Sequence, residues 1–123
     1  MVDTDGRALK LQAHAADIQD RDRAGPLLRA SRPSWPFVAL CYADGGYSGP
    51  RAAKAGPIRI ELVCKAANQI GFAVIAWRWV VERFFGWINW NRRFATDLEA
   101  TIESVGGFLY AASSIILLRR LAR

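Results

Sequence analysis

Apolar and polar positions follow three different rhythms along this chain. Between Phe37 and Asp44 the stretch FVALCYAD is a near-continuous apolar run closed by a carboxylate. That is the pattern of a strand buried on both faces. A second rhythm alternates. In ALKLQAHA, Leu9, Leu11 and Ala13 share one face and Lys10, Gln12 and His14 the other. This predicts a half-buried strand, paired antiparallel with the strand end in VDTDGR through an Asp5-Gly6 turn. IRIELVCK repeats the alternation, with Ile58, Ile60, Leu62 and Cys64 expected inward. The third rhythm is helical. ADIQDRDRAGPLLRAS reads as a loop entering a helix, with Asp20 or Asp22 as N-cap and Pro26 in the first turn. GGYSGPRAAKAG reads as a turn and a short helix. Longer helices are expected over 77–93 and 97–121, with Asp97 as break or cap. Strands interleaved with helices predict an α/β chain with mixed strand directions.

The most informative stretch is WRWVVERFFGWINWNRRF. At helical spacing Val80, Phe84, Trp87, Ile88, Phe94, Ala95, Leu98 and Ile102 gather on one side. Arg78, Glu82, Gly86, Asn89 and Arg93 lie opposite. Glu82 therefore stands in a polar row with Arg78 four residues before it. One reading is a solvated face with an i,i+4 ion pair worth about 0.2–0.5 kcal/mol. The other is a site, because Gly86 one turn on leaves room for a ligand or a second backbone.

Composition narrows the partners. Lys and Arg number 17 against 11 Asp and Glu, for a net charge of +6. With an isoelectric point near 10.0, a polyanion is the natural partner, either nucleic acid or an acidic surface. Cys41 and Cys64 have no metal-ligand spacing and read as small core residues in a reducing compartment. No basic n-region precedes an apolar core in residues 1–20, and VGGFLYAASSIILL is shorter than a membrane span needs. A soluble, cytoplasmic chain without a membrane partner is expected. His14 is either a surface histidine or a ligand. Trp77, Trp79, Trp87 and Trp90 either pack or stack on bases. Arg92 and Arg93 either bind phosphate or solubilise a helix end.

The segments VDTDGR, HAADIQDRDRAGPLL, ADGGYSGPR and RWVVERFFGWINWNRRFATDLE, in this order, resemble the DDE transposases of bacterial insertion sequences. RWVVERFFGW followed by NRR is the specific part of the likeness. The resemblance implies a ribonuclease-H-like fold, a mixed sheet flanked by helices, whose three carboxylates bind two divalent metals, Mg²⁺ or Mn²⁺. Here they fall on Asp3, Asp44 and Glu82, with Asp5 as competitor for the first place. It further implies in-line phosphoryl transfer on DNA, cutting transposon ends and joining them to a target. Arg78 is expected to bind DNA phosphate or hold Glu82, and Arg92 and Arg93 to bind phosphate.

An Asp closing an apolar strand then has a reason, because strand ends present ligand groups in open α/β sheets. The family ordinarily has a DNA-binding region and a full first strand before the first Asp. Here Met1 stands just ahead of Asp3. The expectation is residues 1–123 as a catalytic portion without that region, its first strand cut to a stub. Asn89 stands seven after Glu82, where Lys is common. Two functions follow: a DNA-transposing enzyme, or an inactive remnant that binds DNA or full-length transposase. The partner expected beside DNA is either a second copy of the chain or full-length transposase.

Overall fold

A computed structural model describes residues 1–50, 56, 58–64, 77–96 and 99–122. It forms two compact units: Met1–Ala16 with Val80–Arg123, and Asp17–Trp79.

In the unit Asp17–Trp79, helix α1 spans Asp20–Ser31. Its cap position is Gln19, not either aspartate. Asp20 and Asp22 lie in the first turn, where their charges complement the helix dipole. The start at Asp20 puts Pro26 beyond the first turn, inside the helix, where one backbone hydrogen bond is missing. Ala24, Gly25, Leu28 and Ser31 form its buried stripe. Ser31 satisfies itself by donating to the Leu28 carbonyl at 2.8 Å. Strands β1 (Leu40–Ala43) and β2 (Arg59–Leu62) pair in parallel, Leu40 opposite Arg59 and Ala43 opposite Leu62. After β1 a 3₁₀ turn, Gly45–Tyr47, packs against α1.

Two strand expectations also fail in this unit. The apolar run is not buried on both faces, since Phe37 is 76% and Tyr42 44% exposed. Among the described residues the sheet is a two-stranded ribbon, which offers little surface to cover, so apolar content alone does not bury it. In β2's alternation only Ile58 is fully buried, while Leu62 and Cys64 are exposed. Tyr42 instead stacks on Trp77, ring centroids 6.2 Å apart and planes within 9°. Trp77 holds φ +68°, a left-handed conformation that a bulky residue seldom adopts. The expected short helix after the 3₁₀ turn falls largely outside the described residues.

In the other unit the two helices appear as the periodicity predicts, with shorter bounds. Helix α2 runs Arg78–Asn89, α3 is one turn at Arg92–Ala95, and α4 runs Ile102–Leu121. Asp97 and Leu98 lie outside the described residues. The cap of α4 is Thr101, whose hydroxyl accepts from the Ser104 N–H at 3.1 Å. Phe84, Ile88 and Ala112 form the buried centre, packed about by Val2, Ala8, Leu11, Phe94, Leu109 and Ile116. Ile102 belongs to the first turn of α4 and is exposed, because the chain breaks before it. The polar row of Arg78, Glu82, Gly86 and Asn89 is exposed, as its spacing predicts.

The predicted N-terminal hairpin shrinks to one antiparallel bridge, Val2 with Ala8, around the turn at Gly6. Residues 9–14 form no strand. Tyr110 holds them instead, its hydroxyl donating to the Leu11 carbonyl at 2.9 Å. Helix α4 has 20 residues, and by length and composition alone it suffices to cross a membrane. The apolar stretch VGGFLYAASSIILL stops short of that, because Ile102 and Leu121 extend the helix at both ends. Leu109, Ala112 and Ile116 pack one side of it against the α2 core.

Candidate functional site

Asp3 opens a tight turn. Its Oδ1 accepts from the Asp5 N–H at 2.9 Å and the Arg7 N–H at 2.8 Å, and its Oδ2 lies 3.7 Å from the Arg7 guanidinium. Backbone bonds close the same turn, from Asp3 N–H to Arg7 O at 2.9 Å and from Gly6 N–H to Asp3 O at 3.0 Å. Asp5 faces Arg7 at 3.1 Å. A short polar side chain bonding its own backbone in this way fixes a turn without a strand on either side. The sequence places both acids in one turn; the structure shows Asp3 as the residue that organises it.

Asp44 does the corresponding thing at the end of β1. Its Oδ1 accepts from the Gly46 N–H at 3.0 Å and caps the 3₁₀ turn. A methyl group on Gly46 would stand 3.1 Å from that oxygen, a tight contact that the Asp44 side chain would have to relieve by a few tenths of an ångström. Tyr47, half-buried in the same turn, has its phenol pushed up by burial and then by the Asp20 and Asp44 carboxylates. Asp20 thus brings a second negative charge to this turn, one the sequence pattern assigns only to a helix start.

Glu82 and Arg78 are exposed on α2, on the side away from Val80, Phe84 and Ile88. Asp3 and Glu82 belong to one unit and Asp44 to the other. Within either unit, among the described residues, no three His, Cys, Asp or Glu side chains gather as a metal site would need.

The basic residues divide. Arg92 is exposed. Arg93 is engaged: its Nε donates to Glu99 at 2.5 Å and its guanidinium lies 3.8 Å from the Phe108 ring centroid. Ser104 donates to the same carboxylate. These bonds, Arg93's first, hold Glu99 below the usual carboxylate range. His14 is half-buried with Nδ1 3.0 Å from the Ala15 carbonyl. Trp87 is half-buried, while Trp79 and Trp90 are exposed. Cys41, half-buried, has its thiol raised by burial.

A model of the transposase DDE domain matches residues 1–109. The chain belongs to that family. A Burkholderia cepacia protein, named as transposase for insertion sequence element IS402, is similar to it. The two are 29% identical over the whole of this chain, which spans 63% of the relative's length. No solved structure matches. The DDE-domain likeness covers Asp3, Asp44, Glu82, Arg78, Arg92 and Arg93, and stops before the last turns of α4.

Proposed function

We propose that this DDE-domain chain supplies Asp3, Asp44 and Glu82 to a two-metal site for DNA strand cleavage and strand transfer. The ribonuclease-H-like arrangement and the assignment of residues 1–123 as the catalytic portion belong to the same reading. One observation carries it. Asp3 and Asp44, far apart in sequence, each use Oδ1 to cap their own turn. Each aspartate is thereby set in a fixed rotamer, as a ligand must be. Three carboxylates are hard oxygen donors and fit Mg²⁺ or Mn²⁺. When bound, two such ions lower the pKa of an attacking water and stabilise the leaving oxygen.

The protein's part is positional. Asp3, Asp44 and Glu82 hold the oxygen ligands. Arg78 and Arg92 meet DNA phosphate from exposed positions, and Arg93 joins them through whatever its ion pair with Glu99 leaves over. Transposon ends and target DNA are the substrates, and a second copy or a full-length transposase is the partner that brings both ends together.

The test combines Mn²⁺ binding, read from loss of the free-ion electron-spin resonance signal, with nicking of supercoiled DNA. Asp44→Asn and Glu82→Gln are expected to weaken Mn²⁺ binding about tenfold or more, since each removes one charged ligand. Any nicking should fall about a hundredfold. Equal Mn²⁺ binding in all three proteins overturns the site. Salt-sensitive duplex binding with no Mn²⁺ site supports the DNA-binding remnant instead.

A further inference from the structure

Asp5 and Gly6 rest on two helices that the sequence sets far from them. The Arg83 guanidinium on α2 donates to the Asp5 carbonyl at 2.8 Å. Arg120, in the last turn of α4, reaches the same oxygen through both terminal nitrogens at 3.4 Å. Both guanidiniums also lie over the Trp87 ring, Arg83 at 4.9 Å and Arg120 at 4.2 Å from its centroid. Gly6 is buried here with φ +76°. An added Cβ would stand 3.4 Å from an Arg83 nitrogen, from the Trp87 ring and from the Val80 carbonyl.

The arrangement has a clear electrostatic logic. Two like charges share one carbonyl oxygen and one aromatic face, and each contact offsets the repulsion between them. A carbonyl with two lone pairs accepts both donors. Trp87 supplies the flat surface on which they lie, and Gly6 lets the turn close onto α2.

From this geometry we propose that Arg83, Trp87 and Arg120 are positioning residues, a clamp that holds the Asp3–Arg7 turn on α2. Because α2 also carries Glu82, the clamp ties the first acid to the helix of the third. It works through the Asp5 carbonyl, not through any carboxylate. The positioning role rests on Asp3 being a metal ligand; the clamp itself does not.

The test is amide hydrogen exchange and Mn²⁺-induced line broadening on the full ¹⁵N-labelled chain. Arg120→Gln is expected to speed exchange at Asp3, Gly6 and Leu9 about tenfold. Ile88 and Ala112 should stay within about twofold, since their core contacts are intact. Arg120→Lys, which keeps a charge over the ring and a donor, should restore much of the protection. Broadening at the Asp3 amide should weaken in Arg120→Gln and recover in Arg120→Lys. Unchanged exchange in the turn, or equal acceleration at Ile88 and Ala112, overturns the clamp. If Mn²⁺ leaves wild-type Asp3 sharp while Arg120→Gln still frees the turn, the ligand role of Asp3 fails, and with it the positioning role.

Discussion

The turns at Asp3 and Asp44 use the same local device and differ in everything beyond it. Each aspartate accepts backbone N–H groups from the residues that follow. The Asp3 turn is then held from outside, by Arg83 and Arg120 on the Asp5 carbonyl and by Gly6 seated on α2. The Asp44 turn is held by β1 behind it, Gly46 within it and α1 packed beside it, with no distant side chain shown on its backbone among the described residues. Among the described residues its strand pairs with one partner, through bonds such as Val63 N–H to the Ala43 carbonyl at 2.7 Å. A turn without a full strand can therefore be as well placed as one that ends a strand, if distant side chains grip its backbone.

The sharpest way to break this contrast is at Gly6. Gly6→Val puts a β-branched side chain at φ +76° against Trp87 and the Val80 carbonyl. A loss of about 2–4 kcal/mol is expected from left-handed strain and overpacking, read as a fall in the urea midpoint. A change below about 0.5 kcal/mol would show that the turn is not seated on α2.

Removing the two caps gives a smaller effect and a direct comparison. Asp3→Ala leaves two backbone N–H groups without their acceptor, and Asp44→Ala leaves one. Losses of about 1–2 and about 0.5–1 kcal/mol are expected by urea unfolding. The reverse order would mean that the outside grip on the Asp3 turn makes its own cap redundant.

The smallest effect concerns Glu99, outside both turns. Its pKa is depressed in the folded chain, so it binds fewer protons folded than unfolded. Its contribution is therefore complete above the ordinary glutamate value of 4.5 and is lost as pH falls below it. Wild type and Glu99→Gln should differ in urea midpoint at pH 6–7, and the difference should shrink as pH falls below 4.5. A difference that persists unchanged at pH 3 would exclude the Arg93–Glu99 pair as its source.

Much of the helical architecture is legible in the spacing of apolar residues. The 3.6-residue repeat marks Val80, Phe84 and Ile88 as one face and Glu82 as its opposite, and the fold buries the former and exposes the latter. Strands are less legible. FVALCYAD and ALKLQAHA carry strand patterns, yet one yields four residues of half-buried ribbon and the other a single bridge. Strand patterns state a preference that only a neighbouring strand can satisfy, whereas a helix completes its hydrogen bonds within itself. The candidate site divides in the same way. Asp3, Asp44 and Glu82 are proposed from a resemblance in the sequence, but which backbone groups the two aspartates bind depends on how each turn closes.

By itself the sequence determined what depends on near neighbours and on residue type. That includes the amphipathic helix α2, the turn at Asp5-Gly6, the basic balance and the likeness to the DDE family. Tertiary structure decided which groups are engaged. Arg93 is drawn into a pair with Glu99, and Arg120 meets an N-terminal carbonyl 115 positions away. No repeat or spacing encodes such a meeting. It follows from the path by which α4 returns across α2, set by burial of Phe84, Ile88 and Ala112 in one core.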